Sequence, residues 1–361
     1  MHTLVTHFEE LLKNLRPPEE RLIAARDIPP LVRAYLKAHE EFPTVAPHSH
    51  LVGSYGQDTS VRDVKDVDFL VRVAGDPAEN EPEAKRLIQE LKKVLDGLPE
   101  ALGYNGSTNI DIERARRSVH VYFQDHDFHL DVVPCIAPNG FDEILYVPDR
   151  GFNRWIESHP VGVITLLKEL NDANGDKVRA LVKLLKHFRN VHMITRKPKS
   201  YWLLALVLHH VSKDDGLDTS QPLAVLFRDL LDAIYWQYTI VLHTSDTATP
   251  NIPDPILGHN VSWNWARSHF ETFMRRIDDG RTWAQAALTA TDRSVAIEKW
   301  QKVFGEEYFP ANVTEAASRM ASVGLPGKAF TTGTGLVVPN KTDAGIVTPI
   351  QRTTFHGKNQ A

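Results

Sequence analysis

The chain has 361 residues, of which 42% are hydrophobic and 24% are charged, and its formal net charge at pH 7 is −5. This is the composition of an ordinary globular protein, and the length suits one large two-lobed unit or two domains. The acidic balance argues against a protein that broadly coats nucleic acid, and the single cysteine, Cys135, excludes intramolecular disulfides and a cysteine-rich zinc site.

Helical spacing of apolar residues is the main feature of the N-terminus. It predicts helices over 3–15 and 18–41, with Pro29-Pro30 breaking the second helix or starting a new one. The first segment is amphipathic and acidic, without the charged start and apolar core of a signal peptide. The longest apolar run, 201–208, is too short to span a bilayer. We therefore expect a cytoplasmic protein with no membrane contact.

The segment 51–73 carries the first candidate site. It opens with Gly53-Ser54, continues through a polar loop that holds Thr59, and then alternates apolar residues in the pattern of a strand. On that strand Asp66 and Asp68 project from the same face, about 7 Å apart along the chain. Paired carboxylates suit Mg²⁺ or Mn²⁺, and a Gly-Ser turn offers N–H groups and a hydroxyl to phosphate oxygens. The segment therefore predicts a site for a metal and a nucleotide.

A third carboxylate follows further along the chain. After a solvent-exposed helix predicted over 76–99, residues 118–123 and 128–133 alternate as a hairpin, and Asp131 lies on its second strand. Three carboxylates from two strands can hold two Mg²⁺ ions, roughly 3.5–4 Å apart. The stretch 138–152, rich in Pro, Gly and Asp, predicts a loop that passes between two lobes.

From residue 158 onward the apolar spacing becomes helical. The segment 177–192 places Lys183 and Lys186 near each other on one flank of a helix. Ser200 is a good N-cap residue for the helix that follows it. Beyond residue 324 the chain is basic and rich in Gly, Thr and Pro, which predicts a flexible tail.

The histidines do not form a recognisable metal site in the sequence. His209-His210 and the pair His126 and His129 lack a companion set of acids or cysteines suited to zinc. We interpret them as structural residues and expect no zinc.

Three motifs together carry a resemblance to a known family. GSYGQDT, DVDFLV and HLDVVP resemble the active-site signature of the DNA polymerase β-like nucleotidyltransferases. Within these they are most similar to the oligoadenylate synthase and cyclic GMP–AMP synthase branch, which includes the bacterial cGAS/DncV-like enzymes of anti-phage (CBASS) systems. The resemblance implies an α+β fold, in which a mixed sheet backed by helices faces an all-helical lobe across an active-site cleft. It places bracing helices at 1–46, the catalytic core at 47–157, the helical lobe at 158–310 and a flexible tail at 311–361.

The resemblance also implies roles for individual residues. Asp66, Asp68 and Asp131 would be the catalytic metal ligands, and Gly53 and Ser54, with Thr59 nearby, would contact the triphosphate. A second match, LVKLLKHF followed by KSYWL, resembles the helical lobe of the cyclic GMP–AMP synthase-like enzymes. The residues it implies as nucleotide contacts are Lys186 for the triphosphate, with Lys183 as the alternative, Ser200 for a phosphate and Tyr201 as a stacking platform for a base.

The function implied is the joining of ATP, GTP or UTP into a cyclic di- or oligonucleotide by two-metal catalysis, with release of pyrophosphate. One alternative is nucleotidyl transfer to a macromolecule or small molecule, as in tRNA CCA-adding enzymes and in protein or antibiotic adenylyltransferases. Another is an inactive nucleotide sensor, which would need a broken acid triad. The chain lacks the cysteines of the zinc insertion in the animal enzymes, so direct activation by DNA is not expected. Regulatory or conjugating proteins of the CBASS type are expected as partners at the C-terminal tail.

Overall fold

A computed structural model describes residues 1–63, 65–103, 109–213 and 216–313, and three two-residue strands nearer the C-terminus. Its helices are α1 (Val5–Asn14), α2 (Glu19–Ala38), α3 (Gly53–Gly56), α4 (Ala84–Leu95), α5 (Leu98–Ala101), α6 (Pro160–Ala173), α7 (Lys177–His192), α8 (Ser200–Val211), α9 (Leu223–Thr244), α10 (Arg267–Thr289) and α11 (Arg293–Phe304). Its strands are β1 (Thr44–Val52), β2 (Asp66–Val73), β3 (Ile110–Arg114), β4 (Val119–Phe123), β5 (Phe128–Ile136), β6 (Leu145–Asp149), β7 (Arg154–Ser158), β8 (Phe330–Thr331), β9 (Val337–Val338) and β10 (Thr348–Pro349).

The N-terminal half is built on a mixed seven-stranded sheet. The strand order is β1-β2-β5-β4-β3, and β6 joins the sheet through β5 and pairs with β7. Strands β2 and β5 are parallel, whereas their other neighbours are antiparallel. The hairpin predicted from 118–133 is confirmed as β4 and β5. The parallel pair brings the two acid-bearing strands side by side in the middle of the sheet.

One face of the sheet is apolar along its whole length. Alternate residues of β2 and β5, among them Phe69 and Leu130, are buried there against helices α2 and α4. Helix α4 contributes a stripe with the spacing of one helix face, and the buried members of that stripe are Ala84, Leu87, Ile88, Leu91, Val94 and Leu95. Burial of this face fixes the register of the sheet, and so also which residues point the other way.

The opposite face changes character along the strands. It begins with Asp66, Asp68 and Asp131 and ends in a small apolar cluster that includes Leu70 and Cys135. Helix α6 covers that apolar end, where it contributes Val161. The acids are left at the uncovered end of the sheet.

The C-terminal half forms a second core of helices. Helices α6 to α11 bury leucines, phenylalanines and Trp300 together, and α1 packs into the same core through Phe8 and Leu11. Helix α2 instead packs on the sheet. The first 38 residues therefore contact both halves of the molecule.

Two local expectations from the sequence are wrong. Helix α2 continues through Pro29 and Pro30 because Ile28, Val32 and neighbouring residues are buried against the sheet, which outweighs the lost N–H groups. The predicted loop 138–152 contains β6, whose Leu145 and Val147 are buried in spite of the nearby proline.

The predictions that remain concern membrane-spanning segments, the C-terminal tail and the domain bounds. Within the described residues no helix is long and apolar enough to cross a membrane. The predicted tail at 311–361 lies mostly outside the described residues, apart from 311–313 and the small sheet in which β8 pairs with β9 and β10. The bounds of the four predicted domains stay predictions.

Candidate active site

Three carboxylates lie on the same face of two adjacent strands. Asp66 and Asp68 are alternate residues of β2, and Asp131 lies on β5 directly opposite Asp68 in the parallel register. Neighbouring strands are about 4.8 Å apart, so these side chains crowd one small patch of the sheet. The three acids predicted as a triad are therefore brought together by strand alternation and by one register.

The patch carries negative charge without an equal positive counterpart. Burial raises the pKa of Asp68 to about 7, and the charges of Asp131 and Asp66 add to this effect. Burial also raises the pKa of Asp131, although a hydrogen bond from His120 opposes that shift. A carboxylate that resists ionisation beside two others is the electrostatic signature of a place that gains stability from a cation.

The donor set fits a magnesium ion that shares its ligands with a substrate. In the described part of the chain, no three Asp, Glu, His or Cys side chains converge closely enough to enclose an ion by themselves. Mg²⁺ is normally held by one or two carboxylates, with waters and substrate phosphates completing its octahedron. Asp66, Asp68 and Asp131 are acids of that kind, so the residues present fit a divalent ion bound together with a nucleotide.

The Gly53-Ser54 turn lies directly over this patch. Gly53 has a φ of +63°, and a Cβ built on it would stand 1.7 Å from Asp68 Oδ2, so only glycine fits here. Ser54 follows in the short helix α3, where its hydroxyl accepts a hydrogen bond from the Ser60 hydroxyl at 3.1 Å. The turn predicted to hold phosphates thus adjoins the predicted metal ligands.

Side chains from one face of helix α7 form hydrogen bonds with the loop that runs from residue 57 to residue 63. Side chains at successive turns of the helix donate to this loop, and the pairs are Arg179 to the Gln57 carbonyl (3.1 Å), Lys183 to Asp58 (3.0 Å), Lys186 to Thr59 (2.8 and 3.1 Å) and Asn190 to Asp63 (3.4 Å). The loop connects Gly53-Ser54 to Asp66, so the helical half of the molecule is attached to the segment that carries the candidate site.

Lys186 is the buried member of this row. Its side chain is 1% exposed, and Nζ donates to both the carbonyl and the hydroxyl of Thr59, which is itself fully buried. Burial lowers the pKa of Lys186 to about 7, with Arg189 and Lys183 contributing in the same direction and Asp68 opposing them. Lys183 is more exposed, and its partner Asp58 is mostly in solvent.

Ser200 and Tyr201 are engaged with residues of the helical half. Ser200 is the first residue of α8 and does not cap it: the N-cap is Lys199, and no side chain caps this end. The capping expectation is therefore wrong, because the Ser200 hydroxyl accepts from Arg189 at 3.1 Å instead. Tyr201 donates its phenolic hydrogen to Asp254 at 2.7 Å.

Two histidines on the acid face lie outside the predicted site residues. His120 of β4 is opposite Asp131 in the sheet, and its Nδ1 is hydrogen-bonded to Asp131 Oδ1. His129 of β5 is opposite Asp66, with Nδ1 3.8 Å from the carboxylate, and its ring stacks on Tyr122 at 4.2 Å. Alternation along β5 already places His129 on the face of Asp131, and extending the pairing to β4 would have placed His120 there too.

Comparisons with known proteins find relatives of this chain. Residues 1–171 match the family described as the Second Messenger Oligonucleotide or Dinucleotide Synthetase domain. The chain is 27% identical over 348 residues, 94% of each protein, to the cyclic AMP-AMP-AMP synthase of Acinetobacter sp. (strain ATCC 27244 / 9458). The chain is therefore similar to the cyclic oligonucleotide synthases along nearly its whole length, and to the synthetase domain family over 1–171.

Other similarities extend to the fold of the chain. A probable cyclic AMP-AMP-GMP nucleotide synthase of Salmonella paratyphi B is 29% identical over 171 residues, 46% of this chain and 43% of that protein. CdnC of E. coli MS115-1, solved with ATP, has a TM-score of 0.64 at 20% identity, covering 84% of this chain and 98% of that one. The predicted α+β nucleotidyltransferase fold is confirmed. The Acinetobacter and Salmonella relatives are both named as synthases of cyclic oligonucleotides.

Proposed function

We propose that this enzyme joins ribonucleoside triphosphates, with ATP as a principal substrate, into a cyclic oligonucleotide second messenger of anti-phage defence. The observation that carries the proposal is the register that sets Asp68 of β2 opposite Asp131 of β5, with Asp66 on the same face. Two carboxylate-bearing strands beside a Gly-Ser turn are what a metal-dependent nucleotidyl transfer needs.

Asp66, Asp68 and Asp131 would hold two divalent cations, Mg²⁺ or Mn²⁺. Bound there, the cations would lower the pKa of the attacking ribose hydroxyl and neutralise charge on the leaving pyrophosphate. The chain's own contribution is rigid placement: both strands lie in the middle of the sheet, and their apolar faces are fully buried. Positioning and charge compensation account for most of the rate in this kind of reaction.

The triphosphate would lie between the Gly53-Ser54 turn and helix α7. The Ser54 oxygen already accepts from Ser60, which leaves its own hydrogen free to donate to a phosphate oxygen. Lys186 would exchange Thr59 for a phosphate oxygen and become a full cation, and Lys183 would add charge from the next turn of the helix. We propose a lesser role for Thr59, which holds Lys186 in place until the nucleotide binds.

Ser200 and Tyr201 would act at the far side of the nucleotide. Stacking on the phenol ring needs only a π-face, so Tyr201 would hold a base without selecting it. The Ser200 hydroxyl still has its own hydrogen to donate to a phosphate while it accepts from Arg189.

The relatives support a choice of product and of protein partner. The relative matched over 94% of both chains is named a cyclic AMP-AMP-AMP synthase, so we propose a cyclic oligoadenylate as the first product to seek. CdnC of E. coli has been solved as a complex with HORMA-deltaN, which supports a regulatory protein partner for this cytoplasmic enzyme. Conjugation of the C-terminal tail falls outside the described residues and stays a prediction.

The test is a product assay. Purified protein is incubated with ATP, GTP, CTP and UTP, singly and together, with Mg²⁺ or Mn²⁺, and phosphatase-resistant products are identified by mass spectrometry. A cyclic adenylate from ATP alone is the expected product, and a protein carrying both Asp66→Asn and Asp68→Asn is the inactive control. A cyclic product with other bases would overturn the choice of ATP. Pyrophosphate release only when tRNA or a protein is added would overturn the synthase proposal in favour of transfer to a macromolecule.

A further inference from the structure

His120 lies on the strand next to Asp131 and faces the same side of the sheet. The two residues are directly opposite each other in the antiparallel pair of β4 and β5. The Nδ1 atom of the imidazole is hydrogen-bonded to Oδ1 of the carboxylate, which leaves Oδ2 free to turn toward Asp68 on the other side. One oxygen of Asp131 is thus held from β4, the strand on the opposite side of β5 from Asp68.

Packing does not account for the position of this imidazole. The His120 side chain is 43% exposed, whereas Asp131 is 19% exposed, so the ring lies at the surface of the cleft. The flanking residues Val119 and Val121 point to the other face of β4, where they are fully buried. The valines therefore hold the strand in place, and the His120 side chain is not needed for packing and can hydrogen-bond to Asp131.

Carboxylates that bind metals are commonly oriented by such a neighbour. A hydrogen bond to one oxygen restricts rotation about the Cβ–Cγ bond and holds the second oxygen toward the ion. In Asp131 that restriction is valuable because burial and the like charge of Asp66 both work against the ionised form. A hydrogen-bond donor on the neighbouring strand opposes both of these effects and is not itself a ligand of the cation.

We propose that His120 is a positioning residue for nucleotidyl transfer, which holds Asp131 through the Nδ1–Oδ1 hydrogen bond so that the other carboxylate oxygen is presented to a divalent cation. This inference rests on the proposed metal role of Asp131. His120 itself touches neither the ion nor the nucleotide. Its contribution is to the affinity for the cation and to the geometry of the bound ion.

The test compares His120→Ala with His120→Asn. The asparagine amide can place its Nδ2 where Nδ1 of the imidazole stands, so it keeps the donor and removes the ring. Binding of Mn²⁺ is measured by electron paramagnetic resonance in the presence of a non-hydrolysable ATP analogue. We expect His120→Ala to weaken Mn²⁺ binding by about 10- to 100-fold, and His120→Asn to stay within about threefold of the wild type.

Turnover gives a second readout. In His120→Ala the Mg²⁺ concentration for half-maximal activity should rise by a similar factor, and most of kcat should return at saturating Mg²⁺. His126→Ala is the matched control, since His126 is an exposed histidine in the 3₁₀ turn just before β5 and should leave both measurements unchanged. Wild-type Mn²⁺ affinity in His120→Ala would overturn the proposal, as would an equal loss in the alanine and asparagine variants.

The failure of this inference can be told apart from failure of the site itself. Asp131→Asn is measured in the same way. If Asp131→Asn binds Mn²⁺ and turns over like the wild type, Asp131 is not a metal ligand and the proposed site is wrong. If Asp131→Asn loses both properties while His120→Ala keeps them, only the positioning role is wrong.

Discussion

The candidate site has two sides, here called walls: the acid-bearing face of the sheet, and the helical wall formed by α7 and α8. Their polar residues differ in how many protein partners they have. On the sheet, Asp66, Asp68 and Asp131 present carboxylates that are crowded together and short of positive partners. On the helical wall, the residues implied as nucleotide contacts already have protein partners: Lys186 binds Thr59, and Tyr201 binds Asp254. The acids on the sheet lack counter-charge, whereas these side chains of the helices already have hydrogen-bond partners.

This difference indicates where a nucleotide would change the structure. The sheet acids need only gain a cation, which requires no rearrangement of strands whose other face is buried. Lys186 must leave Thr59 before it can reach a phosphate, so the loop from 57 to 63 would loosen as the triphosphate binds. We therefore expect substitutions on the sheet to act on chemistry, and substitutions on the helical wall to act on nucleotide affinity.

Asp68→Asn should have the largest effect on activity. Losing a carboxylate that two strands bring to the centre of the site should lower kcat by on the order of 10³-fold or more, as removal of an essential catalytic group does. Pyrophosphate release and cyclic product are the measurements. A variant that turns over within tenfold of the wild type would contradict the contrast between the walls, because it would show that the sheet acids are dispensable.

The same variant should be more stable than the wild type above neutral pH. The pKa of Asp68 is about 7 in the folded chain, well above its value of 3.8 when unfolded, so the folded state holds a proton that the unfolded state has lost between these values. Wild-type stability therefore falls as pH rises through that window. The Tm of Asp68→Asn should exceed the wild-type Tm at pH 8, and the difference should shrink steadily as the pH is lowered toward 4. A lower Tm at pH 8 would show that Asp68 is compensated after all.

The contrast between the walls also marks what the sequence could predict. Strand alternation has a period of two, so the pattern DVDFLV places Asp66 and Asp68 on one face with little ambiguity. The parallel register of β2 with β5 is a tertiary feature that was not predicted: the sequence indicated only that Asp131 lies on a second strand. His120 was missed because its contact with Asp131 depends on the antiparallel register of β4 with β5, which alternation along one strand does not fix.

On the helical wall the sequence predicted where the residues lie along the helices, but it did not predict which residues they contact. The spacing of apolar residues in 177–192 correctly placed Lys183 and Lys186 on one flank of a helix. That Lys186 is buried against Thr59 depends on a loop 127 positions earlier in the chain. Serine is likewise a preferred N-cap residue, but the hydroxyl of Ser200 instead accepts a hydrogen bond from Arg189 on the preceding helix.

Lys186→Met should have an intermediate effect, mainly on affinity. Methionine keeps most of the length of the side chain and removes the amine, so the loss of one charged contact to phosphate should raise the KM for ATP by about 10- to 100-fold. The fall in kcat should be smaller. Lys183→Met is the comparison variant on the same helix. Lys183 pairs with the exposed Asp58, where water screens its charge, so this variant should raise the KM for ATP by less than about threefold. Equal effects of the two variants would remove the distinction drawn for Lys186.

Proton uptake sharpens the prediction for Lys186. Its pKa is about 7 in the free enzyme, and a triphosphate beside the amine would raise that pKa. At pH 8 the amine is mostly neutral before binding, so nucleotide binding should take up about one proton, while Asp68 is already ionised and contributes little. Calorimetry in two buffers of different ionisation enthalpy measures this uptake. Lys186→Met should abolish it, and uptake that persists in the variant would show that the proton goes elsewhere.

Tyr201→Phe should have the smallest effect, and it divides the two roles of the helical wall. The phenylalanine ring can still stack on a base, so the KM for ATP should change by less than about threefold. The lost hydrogen bond leaves the buried Asp254 with only the backbone N–H groups of Ile256 and Leu257 on its other oxygen, which should cost about 1–2 kcal/mol of stability. Urea denaturation measures that cost, and Tyr201→Ala, which lacks the ring, should raise KM as well. If Tyr201→Phe raises KM as much as Tyr201→Ala does, the phenol hydroxyl binds the nucleotide directly and is not reserved for Asp254.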